Sequence, residues 1–486
     1  MKKISVIIWE FYLLLLTLIL FLSFANKGLV VGDEGYILNA AWRFSQGQIP
    51  YKDFWILYPP GIVFLLGSLF SIFGKSILLG RYLIVSIGVL ISFLFLKISR
   101  KVIKPPLHLL PSIMFIFWGT MQLNFPWPTW FCWVSCLLSL YFLLLFSEKK
   151  QNYWLFISGI FAGLAFLFKQ TVGFSVIFSL LIISGNLLAL LGILIPLIFT
   201  FLYLICNQAF LPFWQIVFAD LNTYNKQGTM WTDLPNISFS FFGFAKGFFY
   251  YFPFLFFLGS GFYLLKKNYL KNKKIQAVFI FTFLFYLSGI VPTIDLLHNS
   301  LVFPAIFILL MLVLSKTKNI LVRSFLIIAV FMIIGLGIYK LFFKNYAGFE
   351  SPIIKQSIPQ TYINERLFVD KRALELIPVT NYIKKKTNPG DKIFVYYYAP
   401  IIYFLSGREN ASRYPQIVPG FLNLKQQTEI INDLKNVNVI ILQQAMANKD
   451  FKAAKLGLYD LSLLYDYLID NFTFSQQFTD YQIRIR

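Results

Sequence analysis

Long apolar runs alternate with short polar stretches over most of the chain. A helix needs roughly 20 apolar residues to cross about 30 Å of hydrocarbon, and about eleven runs are compatible with that length. These runs lie near residues 4–25, 76–96, 106–123, 129–146, 153–168, 171–185, 187–206, 245–265, 275–291, 298–314 and 319–342. The pattern predicts a polytopic α-helical membrane protein, in which the run at 171–185 is short enough to be a re-entrant or broken helix.

The first apolar run follows Met-Lys-Lys, as in a signal peptide. The run is too long for one, however, and it lacks a small-x-small cleavage site. We therefore expect a retained first transmembrane helix.

Two amphipathic segments lie between the first two runs. Apolar residues recur at helical spacing in the first segment, which predicts a helix lying along the membrane interface. They are Tyr36, Ile37, Ala40, Ala41 and Phe44. A second helix is predicted from Tyr58-Pro-Pro-Gly61 to Phe73, because proline suits the first turn of a helix. The alternative is that Pro and Gly only punctuate a loop.

The pattern changes near residue 343, where charged and amide side chains become frequent and long apolar runs stop. Short runs of β-branched and aromatic residues there predict strands, and amphipathic segments predict helices. Strands are predicted at 392–398 and 437–442, helices at 424–434 and 458–470, and a terminal hairpin at 473–478 and 481–485. The chain thus divides into a transmembrane domain, 1–342, and a soluble α/β domain, 343–486, which we expect to support binding more than chemistry.

Composition supports the membrane assignment, since 58% of residues are hydrophobic and only 13% are charged, against about a quarter in soluble proteins. The net charge of +22 does not indicate a nucleic-acid partner, because Lys and Arg cluster in short runs between apolar spans. Cys132, Cys136 and Cys206 lie within apolar spans, so neither a disulfide framework nor a thiolate metal site is predicted.

The basic runs predict the orientation, because positive loops stay in the cytoplasm. The runs on the side of Lys2 and Lys3 are Lys97/Arg100/Lys101/Lys104, Lys149/Lys150, Lys266/Lys267/Lys271/Lys273/Lys274 and Lys316/Lys318/Arg323. The opposite side then receives the loop after the first span, Lys169, residues 207–244, the turn at 295–299 and the C-terminal domain. We therefore expect a cytoplasmic N-terminus and an extracytoplasmic C-terminal domain.

Two adjacent carboxylates, Asp33 and Glu34, follow the first span. Ionisable groups beside a bilayer are costly and tend to have a function, so this loop is the first candidate for chemistry. The alternative is that both residues stabilise the start of a helix by capping and through the helix dipole.

An ordered series of short motifs surrounds these carboxylates. It consists of Gly32-Asp-Glu-Gly-Tyr36, Gly47-Gln-Ile-Pro-Tyr-Lys-Asp-Phe54, Tyr58-Pro-Pro-Gly61, Phe73-Gly74 and Arg81-Tyr82. This series resembles the first extracytoplasmic loop of polyprenyl-phosphate-sugar-dependent glycosyltransferases of the GT-C superfamily, close to protein O-mannosyltransferases and the aminoarabinose transferase of lipid A. The layout of many spans followed by an extracytoplasmic domain is similar to the same superfamily.

A further match is Asp295-Leu-Leu-His298-Asn-Ser-Leu-Val-Phe-Pro304, similar to a His-Tyr pair and downstream proline that open a late span in these enzymes. This chain has Asn299 in place of the tyrosine, which puts the aromatic contact in doubt but not the imidazole. The alternative is that His298 only begins a helix. The other histidine, His108, lies near the cytoplasmic end of a span and is interpreted as incidental.

The resemblance implies a catalytic base at Asp33. A sugar on a lipid phosphate already has a good leaving group, so one base that takes the proton of the acceptor hydroxyl suffices, and the anomeric carbon inverts. Two-carboxylate hydrolysis needs carboxyls that face each other across the bond. Neighbours in a helix point in different directions, so Glu34 is expected to orient Asp33 or the acceptor.

The leaving phosphate needs positive charge at the membrane boundary. Lys169, at the end of one span, resembles the superfamily's phosphate-contacting basic residue, although snorkelling to lipid headgroups is its alternative role. Further candidates for substrate or lipid-phosphate binding are Arg81, His298 and Tyr58, and Asp220 and Asp295 are candidate supporting carboxylates. We expect no required cofactor; a divalent metal is left open, since no spacing argues for one.

The resemblance implies a polyprenyl-phosphate-linked sugar donor, an extracytoplasmic lipid, glycan or protein as acceptor, and no nucleic acid. Composition points to a bacterial cytoplasmic membrane. A lipid-linked sugar transporter or flippase, with a substrate site at Lys169, is one competing hypothesis. A non-catalytic cell-envelope assembly subunit, whose C-terminal domain recruits partners, is another.

Overall fold

The computed structural model describes residues 2–121, 123–219, 241–290, 296–343, 358–417, 422–443 and 461–486. Most of the first 343 residues are helical. The helices are α1 (Lys2–Ala25), α2 (Asp33–Ser45), α3 (Gly61–Phe73), α4 (Ile77–Val102), α5 (Leu110–Trp118), α6 (Pro128–Lys149), α7 (Asn152–Phe168), α8 (Gln170–Ser184), α9 (Leu187–Cys206), α10 (Phe210–Trp214), α11 (Phe241–Lys266), α12 (Lys273–Ile290), α13 (Leu296–Val302), α14 (Ile306–Lys316) and α15 (Ile320–Phe343).

Eight of the described helical segments are long and apolar enough to cross a membrane. They are Val6–Ala25, Ile77–Val102, Pro128–Lys149, Leu187–Cys206, Gly247–Lys266, Lys273–Ile290, His298–Lys316 and Ile320–Leu341. The predicted number of about eleven crossings is not confirmed. The spans expected at 106–123, 153–168 and 171–185 are shorter helices; α7 has 17 residues and α8 has 15, or about 26 and 22 Å of helix.

The C-terminal region mixes short helices and strands, as predicted. The strands are β1 (Ile358–Tyr362), β2 (Glu365–Val369), β3 (Lys392–Tyr396), β4 (Glu409–Asn410), β5 (Val439–Gln443), β6 (Thr473–Gln477) and β7 (Tyr481–Ile485). The helices are α16 (Lys371–Leu374), α17 (Leu376–Lys386), α18 (Ile401–Ser406), α19 (Leu424–Asp433) and α20 (Ser462–Asn471).

Five strands form one sheet in the order β4-β3-β5-β7-β6. Strand β3 runs parallel to β4 and β5, whereas β7 is antiparallel to β5 and β6. Phe394 of β3 and Ile440 and Ile441 of β5 are fully buried. Consecutive buried residues of this kind are typical of strands covered on both faces, which makes β3 and β5 the core of the domain.

The chain forms two compact units. The membrane unit comprises Met1–Ala25, Arg81–Leu202 and Thr229–Ile354, and the loop–sheet unit comprises Asn26–Gly80, Tyr203–Gly228 and Lys355–Arg486. The segment Asn26–Gly80, here called the first loop, therefore groups with the C-terminal sheet. The sequence predicts two domains that divide at residue 343, and this boundary stays a prediction. The change of composition there shows where the apolar runs stop, but it does not show which segments pack together.

Long-range hydrogen bonds hold the first loop to the hairpin of β1 and β2. Glu365, at the start of β2, accepts backbone hydrogen bonds from Ile77 at 2.8 Å and Leu78 at 3.2 Å. This carboxylate satisfies N–H groups at the start of α4, where a negative charge is favourable. Farther along β2, the carbonyl of Phe368 accepts a hydrogen bond from Gly28 N–H at 2.8 Å.

Arginines attach the middle of the first loop. Arg413 donates through Nη2 to the carbonyl of Tyr51 at 2.5 Å, and its own carbonyl accepts from Trp55 N–H at 2.9 Å. Arg43 of α2 donates through Nη2 to the carbonyl of Asp53 at 2.8 Å. Charged donors on backbone carbonyls are among the stronger hydrogen bonds, so the loop has a defined shape within this unit.

The two helices predicted in the first loop are present as α2 and α3. Helix α2 is buried around most of its surface, including Tyr36, Leu38 and Ala41, whereas α3 leaves Ile72 and Phe73 exposed. A position along the membrane interface stays a prediction for both helices.

Within the membrane unit, one buried carboxylate joins two basic side chains. Glu10 accepts from Arg100 Nη2 at 2.7 Å and lies 3.0 Å from Nε2 of His108. Both Glu10 and His108 are buried. His108 therefore belongs to a polar contact that joins α1 to the start of the α5 region. Its interpretation as incidental to the chemistry stays a prediction.

Candidate active site

Asp33 and Glu34 occupy the first turn of α2 but have different environments. Asp33 is half-buried, whereas Glu34 is fully buried. The Glu34 carboxylate turns back along the chain and accepts a hydrogen bond from Val30 N–H at 3.0 Å. Glu34 thus helps to shape the turn that precedes the helix, and Asp33 is the more accessible of the two carboxylates.

Asp33 has a hydrogen-bond partner from the C-terminal sheet. The hydroxyl of Tyr398 donates to Oδ1 of Asp33. Burial, together with the charge of Asp33 and this hydrogen bond, raises the pKa of the Tyr398 hydroxyl well above its ordinary value. Tyr398 therefore keeps its proton at neutral pH and acts as a donor to the carboxylate.

Further tyrosines surround this pair. Tyr36, one helical turn after Asp33, is buried, and its hydroxyl accepts from Leu57 N–H at 2.9 Å. Burial and the charge of Asp33 raise the pKa of Tyr36. Tyr58, a predicted binding residue, is half-buried and lies close enough to Tyr398 to affect its ionisation. The neighbourhood of Asp33 thus combines aromatic surface with neutral hydroxyl groups.

Two glycines explain how α2 approaches the sheet domain so closely. A Cβ atom on Gly32 would lie 2.5 Å from the Tyr398 ring, and one on Gly35 would lie 2.4 Å from the backbone nitrogen of Ile401 in α18. Real Cβ atoms essentially never approach other atoms so closely. The glycines on either side of Asp33 and Glu34 are therefore required for this packing, which gives a physical reason for the Gly-Asp-Glu-Gly motif.

In the membrane unit, Lys169 lies at the break between α7 and α8. Its backbone is extended, with φ −154° and ψ 116°, and its side chain is only 9% exposed. The ammonium donates to Oγ1 of Thr129, at the start of α6, at 3.4 Å. The ammonium therefore lies at a helix break inside the membrane unit, and a role in phosphate binding or in snorkelling to the headgroups stays a prediction.

A second buried cation, Lys340, lies in α15. Its side chain is 9% exposed, and Nζ is 2.5 Å from Oγ of Ser300 in α13. The ammonium also lies 5.0 Å from the ring centroid of Trp118 and 5.1 Å from that of Phe249, within the range of cation–π interactions. Helix α13 also contains the predicted residue His298, which is half-buried.

The remaining predicted residues have different surroundings. Arg81 is fully buried and donates through Nη1 to the carbonyl of Ala25 at 3.2 Å, so it links α4 to the end of α1. Asn299, which replaces the expected tyrosine, is fully buried and donates to the carbonyl of Phe249 at 2.9 Å. Asp220 and Asp295 lie outside the described residues.

No cluster of three or more metal-binding side chains occurs among the residues that the structure describes. The two described candidate carboxylates already accept hydrogen bonds, Asp33 from Tyr398 and Glu34 from Val30. Their surroundings give no positive indication of a metal site.

The sequence analysis missed two residues that the structure brings to attention. Tyr398 is the last residue of the strand predicted at 392–398, in a run of three tyrosines, and no local signal distinguishes it from its neighbours. Lys340 did carry a signal, because an ionisable residue within an apolar span is a functional candidate in its own right.

No family model matches the chain, and no curated protein matches it by sequence. Solved structures do match over nearly the whole chain. ArnT from Cupriavidus metallidurans bound to undecaprenyl phosphate matches with a TM-score of 0.56 and 13% identity, over 98% of this chain and 97% of ArnT. Its apo state matches with the same TM-score and 12% identity, over 100% of this chain and 98% of ArnT.

The Archaeoglobus fulgidus oligosaccharyltransferase, in complex with Zn and sulfate, also matches, with a TM-score of 0.53 and 12% identity. That match covers 97% of this chain and 73% of the oligosaccharyltransferase. The likeness concerns the fold, and it confirms the prediction of a polytopic helical membrane protein with a C-terminal sheet domain whose architecture is similar to that of ArnT.

Proposed function

We propose that the chain is a membrane glycosyltransferase that moves a sugar from a polyprenyl-phosphate donor to the hydroxyl of a lipid, glycan or protein. Three observations support the proposal: the motif series around Asp33, the fold shared with ArnT, and the undecaprenyl phosphate bound by ArnT. The observation that carries it is Asp33 itself, a half-buried carboxylate whose hydrogen-bond partner is a tyrosine of the C-terminal sheet domain.

In the proposed reaction, Asp33 is the general base. Its carboxylate takes the proton of the acceptor hydroxyl as that oxygen attacks the anomeric carbon. A new bond forms between the acceptor oxygen and the anomeric carbon, and the bond from that carbon to the phosphate oxygen breaks. Polyprenyl phosphate leaves with the bonding electron pair, and attack opposite the leaving group inverts the anomeric configuration.

Glu34 is proposed as a shaping residue, because its carboxylate binds the backbone of Val30. A fully buried carboxylate held in this way cannot serve as a second acid facing the reaction. We therefore propose one base and no acid. This suits a donor whose leaving group departs as a phosphate anion.

The leaving phosphate is proposed to bind cations of the membrane unit. Lys169 and Lys340 are both buried, so their charges are weakly screened and interact strongly with an anion. His298 shares helix α13 with Ser300, which contacts Lys340, and it is proposed as a further phosphate ligand. Arg81 is proposed to contribute indirectly, through its hydrogen bond to the carbonyl of Ala25 at the end of α1. Tyr58 is proposed to line the substrate site with its aromatic ring.

We propose that no cofactor is required, and a divalent metal stays open, since no spacing in the sequence argues for one. Asp220 and Asp295 are kept as candidate supporting carboxylates. For location, we propose the bacterial cytoplasmic membrane with a cytoplasmic N-terminus and an extracytoplasmic C-terminal domain, which the distribution of Lys and Arg supports.

The test is sugar transfer by the purified full chain in nanodiscs. Radiolabelled polyprenyl-phosphate sugars are offered with a membrane extract as acceptor, and the native chain is compared with Asp33→Asn. The matched control is Asp53→Asn in the same loop, where Asp53 accepts from Ile49 N–H at 2.6 Å and an asparagine oxygen can replace it. We expect transfer by the native chain and the control, and none by folded Asp33→Asn.

Transfer at the native rate by Asp33→Asn would overturn the assignment of the base and direct the search to Glu34, Asp220 and Asp295. Movement of the donor across a vesicle membrane, without transfer to any acceptor, would favour the transporter. An unchanged cellular glycan in a strain carrying Asp33→Asn would favour the assembly subunit.

A further inference from the structure

The turn after β3 presents Tyr398 in a defined direction. Strand β3 ends at Tyr396, and the following residue, Tyr397, has a φ of 88°, a left-handed conformation that a bulky residue rarely adopts. The carbonyl of Tyr397 accepts from Ile417 N–H at 2.8 Å, and Tyr398 N–H donates to Oε1 of Gln443 at 3.2 Å. Hydrogen bonds to the two residues of this strained turn therefore hold it in place. Strained backbone held in this way is concentrated at active sites and ligand-binding sites.

The position of the turn in the sheet is also informative. Strands β3, β4 and β5 are parallel, and Tyr398 and Gln443 lie at the carboxyl ends of β3 and β5. Ligands of open α/β sheets bind beyond this edge. Here the edge meets the first turn of α2, because Gly35 lets Ile401 of α18 approach the helix backbone.

We propose that Tyr398 is a positioning residue for the catalytic base, so that the C-terminal domain completes the active site instead of only binding substrates. The hydroxyl of Tyr398 holds the Asp33 carboxylate in one orientation and stabilises its ionised form. This inference rests on the proposed function. It also revises the expectation that this domain supports binding more than chemistry.

The groups around Asp33 determine how a pH titration of its carboxylate is interpreted. Among the described residues, Asp33 interacts electrostatically with Tyr36 on α2 and with Tyr398 after β3, and Tyr398 also interacts with Tyr36 and with Tyr58 in the first loop. Glu34 is next to Asp33 in sequence, but its carboxylate binds Val30. Tyr36 and Tyr398 keep their protons near pH 7. Removing the Tyr398 hydroxyl therefore changes the hydrogen bonding of Asp33 without changing the net charge.

The test compares the native chain, Tyr398→Phe, Asp33→Asn and Tyr403→Phe, all as full-length protein. Tyr403 is the matched control because it is a fully buried tyrosine of α18, and its hydroxyl accepts from Val395 N–H at 2.8 Å. Infrared difference spectra against Asp33→Asn isolate the carboxyl band of Asp33, which is titrated with pH. The pH dependence of kcat/KM is measured in parallel.

In Tyr398→Phe we expect the infrared midpoint and the acidic limb of kcat/KM to move up by about one pH unit. We expect kcat to fall about tenfold to a hundredfold, because the base is less well oriented. Tyr403→Phe is expected to lower the melting temperature and leave the infrared midpoint in place. An infrared midpoint unchanged in Tyr398→Phe, or moved equally in Tyr403→Phe, would overturn the proposal.

Failure of the proposed function has a different signature. If Asp33→Asn transfers sugar like the native chain, Asp33 is not the base, whatever the infrared titration shows. If Asp33→Asn is inactive while Tyr398→Phe matches the native chain in both measurements, the base assignment stands and the role of Tyr398 is refuted.

Discussion

Replacement of Gly35 by alanine separates local helix preference from tertiary packing. Gly35 lies in the first turn of α2, where alanine in place of glycine favours the helix by about 0.5–1 kcal/mol. Its new Cβ, however, would lie 2.4 Å from the backbone nitrogen of Ile401 and 2.7 Å from its Cα. Ordinary van der Waals contact begins at 3.4 Å, so relief requires α2 and α18 to separate by about 1 Å.

The separation has a cost in stability and in activity. Overpacking of this kind destabilises proteins by about 1–3 kcal/mol, which exceeds the gain in helix preference, so we expect a lower melting temperature. Asp33 lies two residues away and loses its alignment with Tyr398. A 1 Å displacement of a reacting group costs about a hundredfold in rate, so we expect a comparable drop in kcat.

The assays are thermal unfolding of the purified chain and sugar transfer under saturating donor. The matched control is Gly335→Ala in α15, a helical glycine with nothing within 4 Å of an added Cβ, where we expect equal or higher stability and native activity. A Gly35→Ala chain as stable and as active as native would refute the argument, since it would mean that α2 does not pack on α18 as described.

Three further predictions follow from the surroundings of charged groups. We expect Lys340→Met to raise KM for the polyprenyl-phosphate donor about tenfold, because a buried cation is lost. Lys318→Met, at an exposed lysine, should leave this KM unchanged. A KM of Lys340→Met equal to that of the native chain would contradict a phosphate-binding role for Lys340. Burial, with Lys384 and Arg408 nearby, lowers the pKa of Lys75 to about 8, so between pH 8 and 10 its neutral amine predominates while ordinary lysines stay mostly charged. The pH profile of Lys75 acylation, followed by mass spectrometry, should therefore have its midpoint near pH 8, and a midpoint above pH 10 would count against this microenvironment. Chelation by EDTA should leave sugar transfer intact, and activity lost on chelation and restored by a divalent cation would refute the proposal that no cofactor is required.

The relation between the first loop and the C-terminal sheet changes how the domains are understood. Glu365 binds the start of α4, Arg413 binds the backbone of Tyr51, and Tyr398 binds Asp33. These contacts join, within one compact unit, two segments that are separated by more than 270 residues of sequence. A substitution in the C-terminal domain is therefore expected to affect the geometry around Asp33.

Much of the fold was determined by local sequence. The length of the apolar runs specified the long spans, helical spacing specified α2, and β-branched and aromatic residues specified β3 and β5. These predictions succeeded because each depends on residues close together in the chain. Whether the short helices α7 and α8 are spans stays a prediction, since hydropathy measures apolar character and does not show where Lys169 breaks the helix.

The candidate site was only partly accessible to such reasoning. The sequence identified Asp33 and Glu34 as a pair, but only the folded chain distinguishes them, by burying Glu34 against its own loop and leaving Asp33 half-exposed. Lys340 is separated from Ser300 by 40 residues and Tyr398 from Asp33 by 365. The sequence determined which residue types are available, and the tertiary structure decided which of them meet, because contacts at such separations depend on how distant elements pack and leave no periodic pattern along the chain.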